Sequence, residues 1–191
     1  MRSINILLLA AVIVAAQGCS VISSITGKVS GGGTIDRRSA GSQVDDDTIE
    51  NTAMSRIQDK FKGKALINIT SFNRFVLITG DATTKETKTN IERAVYSVPN
   101  VKQIANEVAV GGLSSAATRN ADANITKEIK SDMSLNKALR VETIKVVTDK
   151  GVVYLLGLVT HAEAKTASEM ASTTLGVQKV VRAFEYIDQA E

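Results

Sequence analysis

The strongest constraint in this sequence is that its second half repeats its first. Phe75-Val76-Leu77-Ile78-Thr79-Gly80 aligns with Val152-Val153-Tyr154-Leu155-Leu156-Gly157, and Ile67-Asn68-Ile69 aligns with Ile144-Lys145-Val146. Further on, Ala94 aligns with Ala171, and Val98-Pro99-Asn100-Val101 aligns with Thr174-Leu175-Gly176-Val177, the register holding apart from one small gap. Such a chain folds as two copies of one unit. Its 191 residues leave room for two small domains once the N-terminal segment is set aside.

Each copy shows the same succession of periodicities. In the first, Ile49, Ala53, Ile57 and Phe61 recur every four residues, drawing an apolar stripe along a helix; Ile125, Ile129 and Met133 repeat it in the second. An alternating strand follows, then a turn, Asn73-Arg74 in one copy and Asp149-Lys150-Gly151 in the other. The next strand ends at Gly80 or Gly157, structural positions where a missing side chain suits a bulge or a close backbone approach. A second helix is expected over residues 85–96 and 162–174, and a last strand over 101–110 and 177–187. Gly176 reads as a C-cap, and the corresponding segment of the first copy holds the only proline, Pro99. The order helix, strand, strand, helix, strand predicts an α+β fold. In each copy, helices pack on one face of a small three-stranded mixed sheet.

The N-terminus reads as an address and an anchor. Arg2 precedes an apolar run from Ile4 to Ala16, the secretory pattern, and the run is too short to span a bilayer comfortably. It ends at Ala16-Gln17-Gly18-Cys19, which resembles a bacterial lipobox, although Ala16 and Gln17 depart from the usual Leu and Ala or Ser. Cys19 is the sole cysteine, so a disulfide within the chain is impossible, and with a single histidine a Cys/His metal site is not expected. The expected modification is diacylglycerol on the Cys19 sulfur with acylation of the new N-terminus, enough acyl chains for stable anchoring. Ser20 follows Cys19, and lipoproteins without Asp there are usually sorted to the outer membrane. Residues 20–46, rich in Ser and Gly and containing Arg37-Arg38, read as a flexible tether. Asp45-Asp46-Asp47 reads as an acidic cap on a helix beginning at Thr48. The expected organisation is therefore signal peptide 1–18, lipidated cysteine and tether 19–46, first domain 47–110, linker 111–118 and second domain 119–188.

Composition narrows the function. A net charge of +3 with no concentrated basic patch argues against nucleic acid. No Gly-x-Ser-x-Gly elbow accompanies the plentiful Ser and Thr, Gly111-Gly112 lacks a phosphate-loop context, and His161 reads as a surface residue at a helix start. The chain is expected not to be an enzyme, to need no cofactor or metal, and to be a monomer.

The element order, with an apolar-x-apolar-x-Gly strand before a helix in both copies, resembles the BON domain, named for bacterial osmotically induced and nodulation proteins. Arg38-Ser39-Ala40-Gly41-Ser42-Gln43-Val44-Asp45-Asp46 and Gly157-Leu158-Val159-Thr160 are particularly similar to outer-membrane lipoproteins with paired BON domains. The resemblance implies a periplasm-facing role in outer-membrane integrity, binding of anionic phospholipid through the second domain, and enrichment at the division site.

The candidate lipid-binding surface is the first helix of the second copy, expected over residues 121–134. With Ile125, Ile129 and Met133 turned to the core, Asn124, Lys127, Ser131 and Ser134 lie on the other side, Lys130 is near the edge, and Arg119 precedes the helix. These bases would attract phosphatidylglycerol or cardiolipin at about 1 kcal/mol each near the surface, although Asp122, Glu128 and Asp132 intermingle with them and a mixed-charge face is usually just solvated. Family members can place a membrane-seeking aromatic where this chain has Asn124, so insertion should be shallower and electrostatics should carry more of the binding. The alternative partner is protein, through strand addition at a sheet edge, for example outer-membrane protein assembly machinery. A further cluster, Lys60, Lys62 and Lys64, reads as a solvated loop.

Overall fold

The computed structural model describes residues 36–187; the signal segment, Cys19 and most of the Ser/Gly-rich stretch lie outside the described residues. The first copy comprises α1 (Ala40–Gln58), β1 (Ala65–Phe72), β2 (Phe75–Ala82), α2 (Lys85–Tyr96), β3 (Gln103–Asn106) and β4 (Ala109–Val110). The second comprises α3 (Ala116–Leu135), β5 (Ile144–Asp149), β6 (Val152–Val159), α4 (His161–Thr173) and β7 (Lys179–Tyr186), with a 3₁₀ turn at Val141–Thr143 before β5. Each sheet is mixed: β1 and β5 run antiparallel to the central strands β2 and β6, whereas β3, β4 and β7 run parallel to them.

Helix starts follow one rule. Ser39, Thr84, Ser115 and Thr160 each stand at an N-cap, and each side chain accepts a backbone N–H three residues on. Thr160 and Glu163 complete a capping box. The helix expected from Thr48 therefore starts at Ala40, because Ser39 is its cap. Asp45-Asp46-Asp47 lies inside the helix, not at its N-terminus. α3 likewise starts at Ala116, ahead of the expected residue 121.

The helices bury their four-residue stripes against one face of each sheet. Ile49, Ala53, Ile57, Val76, Ile78 and Ile91 are among those that fill the first core; Ile129, Met133, Val153, Leu155, Ala167 and Ala171 help fill the second. A third cluster contains Phe72 and Leu77 from the first copy with Tyr154 and Leu156 from the second. The two sheets thus pack on each other through the faces their helices leave bare. This explains why β2 and β6 read as nearly unbroken apolar runs: both faces of each central strand are covered. Burying each such side chain contributes roughly 2 kcal/mol. Tyr154 is held in this layer with its hydroxyl pKa pushed up to about 12, by burial first and by Glu107 and Asp149 next.

The interface is fastened at its margins by polar groups. Lys145 Nζ pairs with Glu50 Oε1 at 2.6 Å and donates to Ser71 O at 3.0 Å. Lys150 pairs with Asp81, whose other oxygen accepts from Ser114 N at 2.8 Å and so ties down the connection between copies. Burial alone would raise the Asp81 pKa, but Lys150 and Ser114 outweigh it and lower it. Asp149 accepts from Gly80 N at 3.2 Å, and its pKa is raised by burial.

The Arg37-Arg38 pair is part of this structure. Arg37 reaches the second copy, donating to both oxygens of Glu163 at 2.6 and 2.9 Å and to Leu158 O at 3.0 Å. Arg38 turns to the first copy, pairing with Asp46 at 2.7 Å and lying 4.3 Å above the Phe72 ring centroid. Neighbouring residues thereby strap the two copies together.

Candidate functional site

Both hairpin turns require residues in the left-handed region: Asn73 and Arg74 have φ 51° and 68°, Lys150 and Gly151 have 51° and 74°. These are two-residue turns, since Phe72 pairs with Phe75 and Asp149 with Val152. Each is held by a buried helix carboxylate. Asp46 in α1 accepts from Asn73 N and Arg74 N, both at 2.7 Å, and from Ser71 Oγ at 2.6 Å. Asp122 in α3 accepts from Lys150 N at 2.8 Å and Gly151 N at 2.9 Å. This clamp was missed in the sequence. Its signal was present, because an aspartate precedes the first core isoleucine by three residues in both copies.

The clamp sets the rotation of α3. At about 100° per residue, three stripes follow from it. Asp122, Ile125, Ile129 and Met133 are buried. Arg119, Ala123, Thr126 and Lys130 line a cleft of about 640 Å³ between the copies, which also takes in β1, β5, Glu50 and Lys145. Asn124, Lys127, Ser131 and Ser134 lie on the exposed outer face. The structure therefore divides the expected lipid-binding set. Lys127 shares a face with Asn124, Ser131 and Ser134, whereas Arg119 and Lys130 belong to the cleft, and Arg119 Nη1 donates to Ser114 O at 2.6 Å. Ser134 Oγ donates to Ser131 O at 2.6 Å.

The first copy shows what is special about this face. The positions matching Asn124, Lys127 and Lys130 are Thr48, Asn51 and Met54 in α1, and that helix carries Asp45, Asp46, Asp47 and Glu50 against Arg56 alone. The second copy thus carries lysines at two positions where the first has Asn51 and Met54, intermingled with the exposed acids Glu128 and Asp132.

Gly80 and Gly157 lie where backbone comes close. A Cβ on Gly80 would fall 2.0 Å from Leu66 O, and one on Gly157 would fall 2.6 Å from Thr143 O. His161 stacks on Tyr186 with ring centroids 4.0 Å apart. Lys60, Lys62 and Lys64 are exposed around the turn between α1 and β1. Among the described residues, no group of three or more His, Cys, Asp or Glu is placed to hold a metal, and no helix is long and apolar enough to cross a membrane.

The family profile of the BON domain matches residues 45–112 and again 121–188, so the chain belongs to the BON-domain family and carries two such domains. The particular similarity is to a lipoprotein. The chain is 30% identical over 174 residues, 90% of each chain, to "Outer membrane lipoprotein DolP" of Haemophilus influenzae. It is also 32% identical over 155 residues, 80% of each, to "21 kDa hemolysin" of Actinobacillus pleuropneumoniae. A dual-BON organisation of the DolP type and an outer-membrane lipoprotein are what these similarities support. Among solved structures, the C-terminal domain of CdsD, a structural protein of the type III secretion system of Chlamydia trachomatis, covers 71% of this chain at TM-score 0.31 and 11% identity, too low to bear on the arrangement here.

Proposed function

We propose that this protein is held at the periplasmic face of the outer membrane by acyl chains on Cys19 and reads anionic phospholipid, such as phosphatidylglycerol or cardiolipin, through its second BON domain. Its role is non-enzymatic support of outer-membrane integrity, with enrichment at the division site, and it acts as a monomer. The observation that carries the lipid reading is the outer face of α3. Lys127 stands there exposed, with no carboxylate within ion-pair distance among the described residues, while the matching residue of the first copy is Asn51. A lysine so placed is available to a phosphate headgroup.

Flotation of residues 20–191 with vesicles containing or lacking phosphatidylglycerol tests this. Binding should require the anionic lipid, weaken as salt rises, and fall with Lys127→Glu more than with Lys130→Glu. Equal flotation on neutral vesicles, or none on either, would refute the reading.

A second reading is favoured by one observation. β1 and β5 are edge strands of their sheets, and both line the cleft between the copies. An extended segment of a partner in outer-membrane protein assembly would add to such an edge. Retained protein binding by a chain that does not float would favour it.

A further inference from the structure

We infer that the outer edge of β5, at Val146 and Thr148, receives an extended peptide segment of a protein partner, which lies in the cleft and turns an acidic side chain towards Lys130. This rests on the strand-addition reading above and adds to it which edge is open and what segment fits.

The hairpin turns fix which backbone groups face outward. Asp149 and Val152 flank their two-residue turn as a ladder-bonded pair, so the alternate residues Thr148 and Val146 turn N–H and C=O away from β6. Counted in the same way from Phe72 and Phe75, Ser71, Ile69 and Ile67 face outward from β1. Ser71 and Thr148 are matching positions of the two copies.

At Ser71 the edge is closed. Glu50 Oε1 accepts from Ser71 N at 2.8 Å, and Ser71 O accepts from Lys145 Nζ at 3.0 Å. At Thr148 it is open. The residue matching Glu50 is Thr126, whose hydroxyl donates to Thr148 Oγ1 at 2.8 Å and so bonds the side chain, not the backbone. Among the described residues, no protein group bonds the outward N–H or C=O of Val146 or Thr148. Val146 is only 4% exposed, and both residues line the cleft of about 640 Å³. Buried backbone groups are costly to leave unpaired.

The occupant is a peptide because of spacing and charge. Alternate residues of a strand stand about 7 Å apart, and an extended chain repeats its own donor and acceptor at that interval. An acyl chain has neither. α3 runs opposite to β5, since Asp122 reaches Lys150 and Thr126 reaches Thr148. Lys130, one helical turn past Thr126, therefore stands level with Val146. Glu128 and Asp132 are two positions to either side of it, about 200° round the helix. Lys130 and Arg119 line the cleft with no carboxylate within ion-pair distance among the described residues. Of the acids there, Glu50 is paired with Lys145, Asp81 with Lys150, and Asp122 is taken up by the turn. Asp149 lies at the turn end of the strand and holds Gly80 N. The α3 wall beside Val146 is thus positive and complements an acidic side chain.

The experiment uses residues 20–191, which contain every residue of the three hydrophobic clusters. Peptides are selected against it from a random library displayed on phage, then added to isotope-labelled protein. The selected peptides should carry an acidic residue and shift the amide resonances of Val146 and Thr148 more than those of Ile67 and Ile69. Thr126→Glu offers Thr148 N the carboxylate that Glu50 offers Ser71, and should weaken peptide binding about tenfold. Thr126→Ser should bind like the parent. Lys130→Glu, at an exposed position, should keep the parent's thermal melt and also weaken binding about tenfold. If the peptides shift Ile67 and Ile69 instead, or bind both the Thr126→Glu and Lys130→Glu variants as tightly as the parent, this inference fails and strand addition at another edge stands. If no peptide is selected, or those selected perturb neither edge, both fail.

Discussion

In the first copy Gly80 adopts φ 110°, and the last strand is interrupted between β3 and β4, beside that glycine. In the second copy Gly157 stays out of the positive-φ region, and β7 pairs with β6 without a break from Lys179 to Tyr186. The hairpin clamps differ as well: Asp46 also serves Ser71 and Arg38, whereas Asp122 holds only the turn. The comparison separates scaffold from surface. Duplicated positions that carry the fold, the core stripe and the turn carboxylate, persist in both copies. Positions free of that duty have diverged, Asn51 against Lys127 and Glu50 against Thr126, and these are the ones from which function is argued.

The largest expected effect tests the two clamps. Asp46→Ala strands two half-buried turn N–H groups, the buried Ser71 hydroxyl and Arg38, and should cost about 4 kcal/mol in chemical denaturation, against about 2 kcal/mol for Asp122→Ala. Equal losses would mean that the Arg38 and Ser71 contacts add nothing. Next are the glycines. Gly80→Ala meets both a left-handed backbone and a carbonyl, so it should destabilise by about 3 kcal/mol, and Gly157→Ala, facing only the carbonyl, by about 2 kcal/mol.

The strap comes third. Arg37 holds the Glu163 carboxyl at a pKa of about 2, well below its ordinary 4.5. A lowered carboxyl pKa stabilises the fold above the ordinary value, and that stability is lost as pH falls through the range between the two. Arg37→Ala should therefore cost about 2 kcal/mol at neutral pH and progressively less below pH 4.5, read from denaturation curves across that range. The smallest effect compares the helix faces: Lys127→Glu should lower affinity for anionic vesicles about tenfold, and Asn51→Glu less than twofold. Comparable losses would place lipid contact on both copies.

Much of this architecture was legible from residues. The four-residue stripe Ile49, Ala53, Ile57 marks α1, and the repeat transfers the reading to Ile125, Ile129 and Met133. The start of α1 was not legible, because Gly41, Ser39 and Ser42 suggest a tether by composition, and only the Ser39 cap reveals a helix. Of the candidate surface, the helix itself was legible but the division of its side chains between cleft and outer face was not. Lys127 and Lys130 look alike in sequence, and which one faces the cleft depends on the second sheet standing against the first.

By itself the sequence determined two tandem α+β units of one family, because hydrophobic period and turn chemistry are local properties written twice. From the runs Phe75–Ile78 and Val152–Leu156 came central strands with helices on one face and no account of the other faces. Only the tertiary structure decided what covers them. Each sheet is the other's second layer, with Lys145 reaching Glu50, Lys150 reaching Asp81 and Arg37 reaching Glu163. Such pairings join residues tens of positions apart, and their energy depends on distance and burial that no spacing along the chain records.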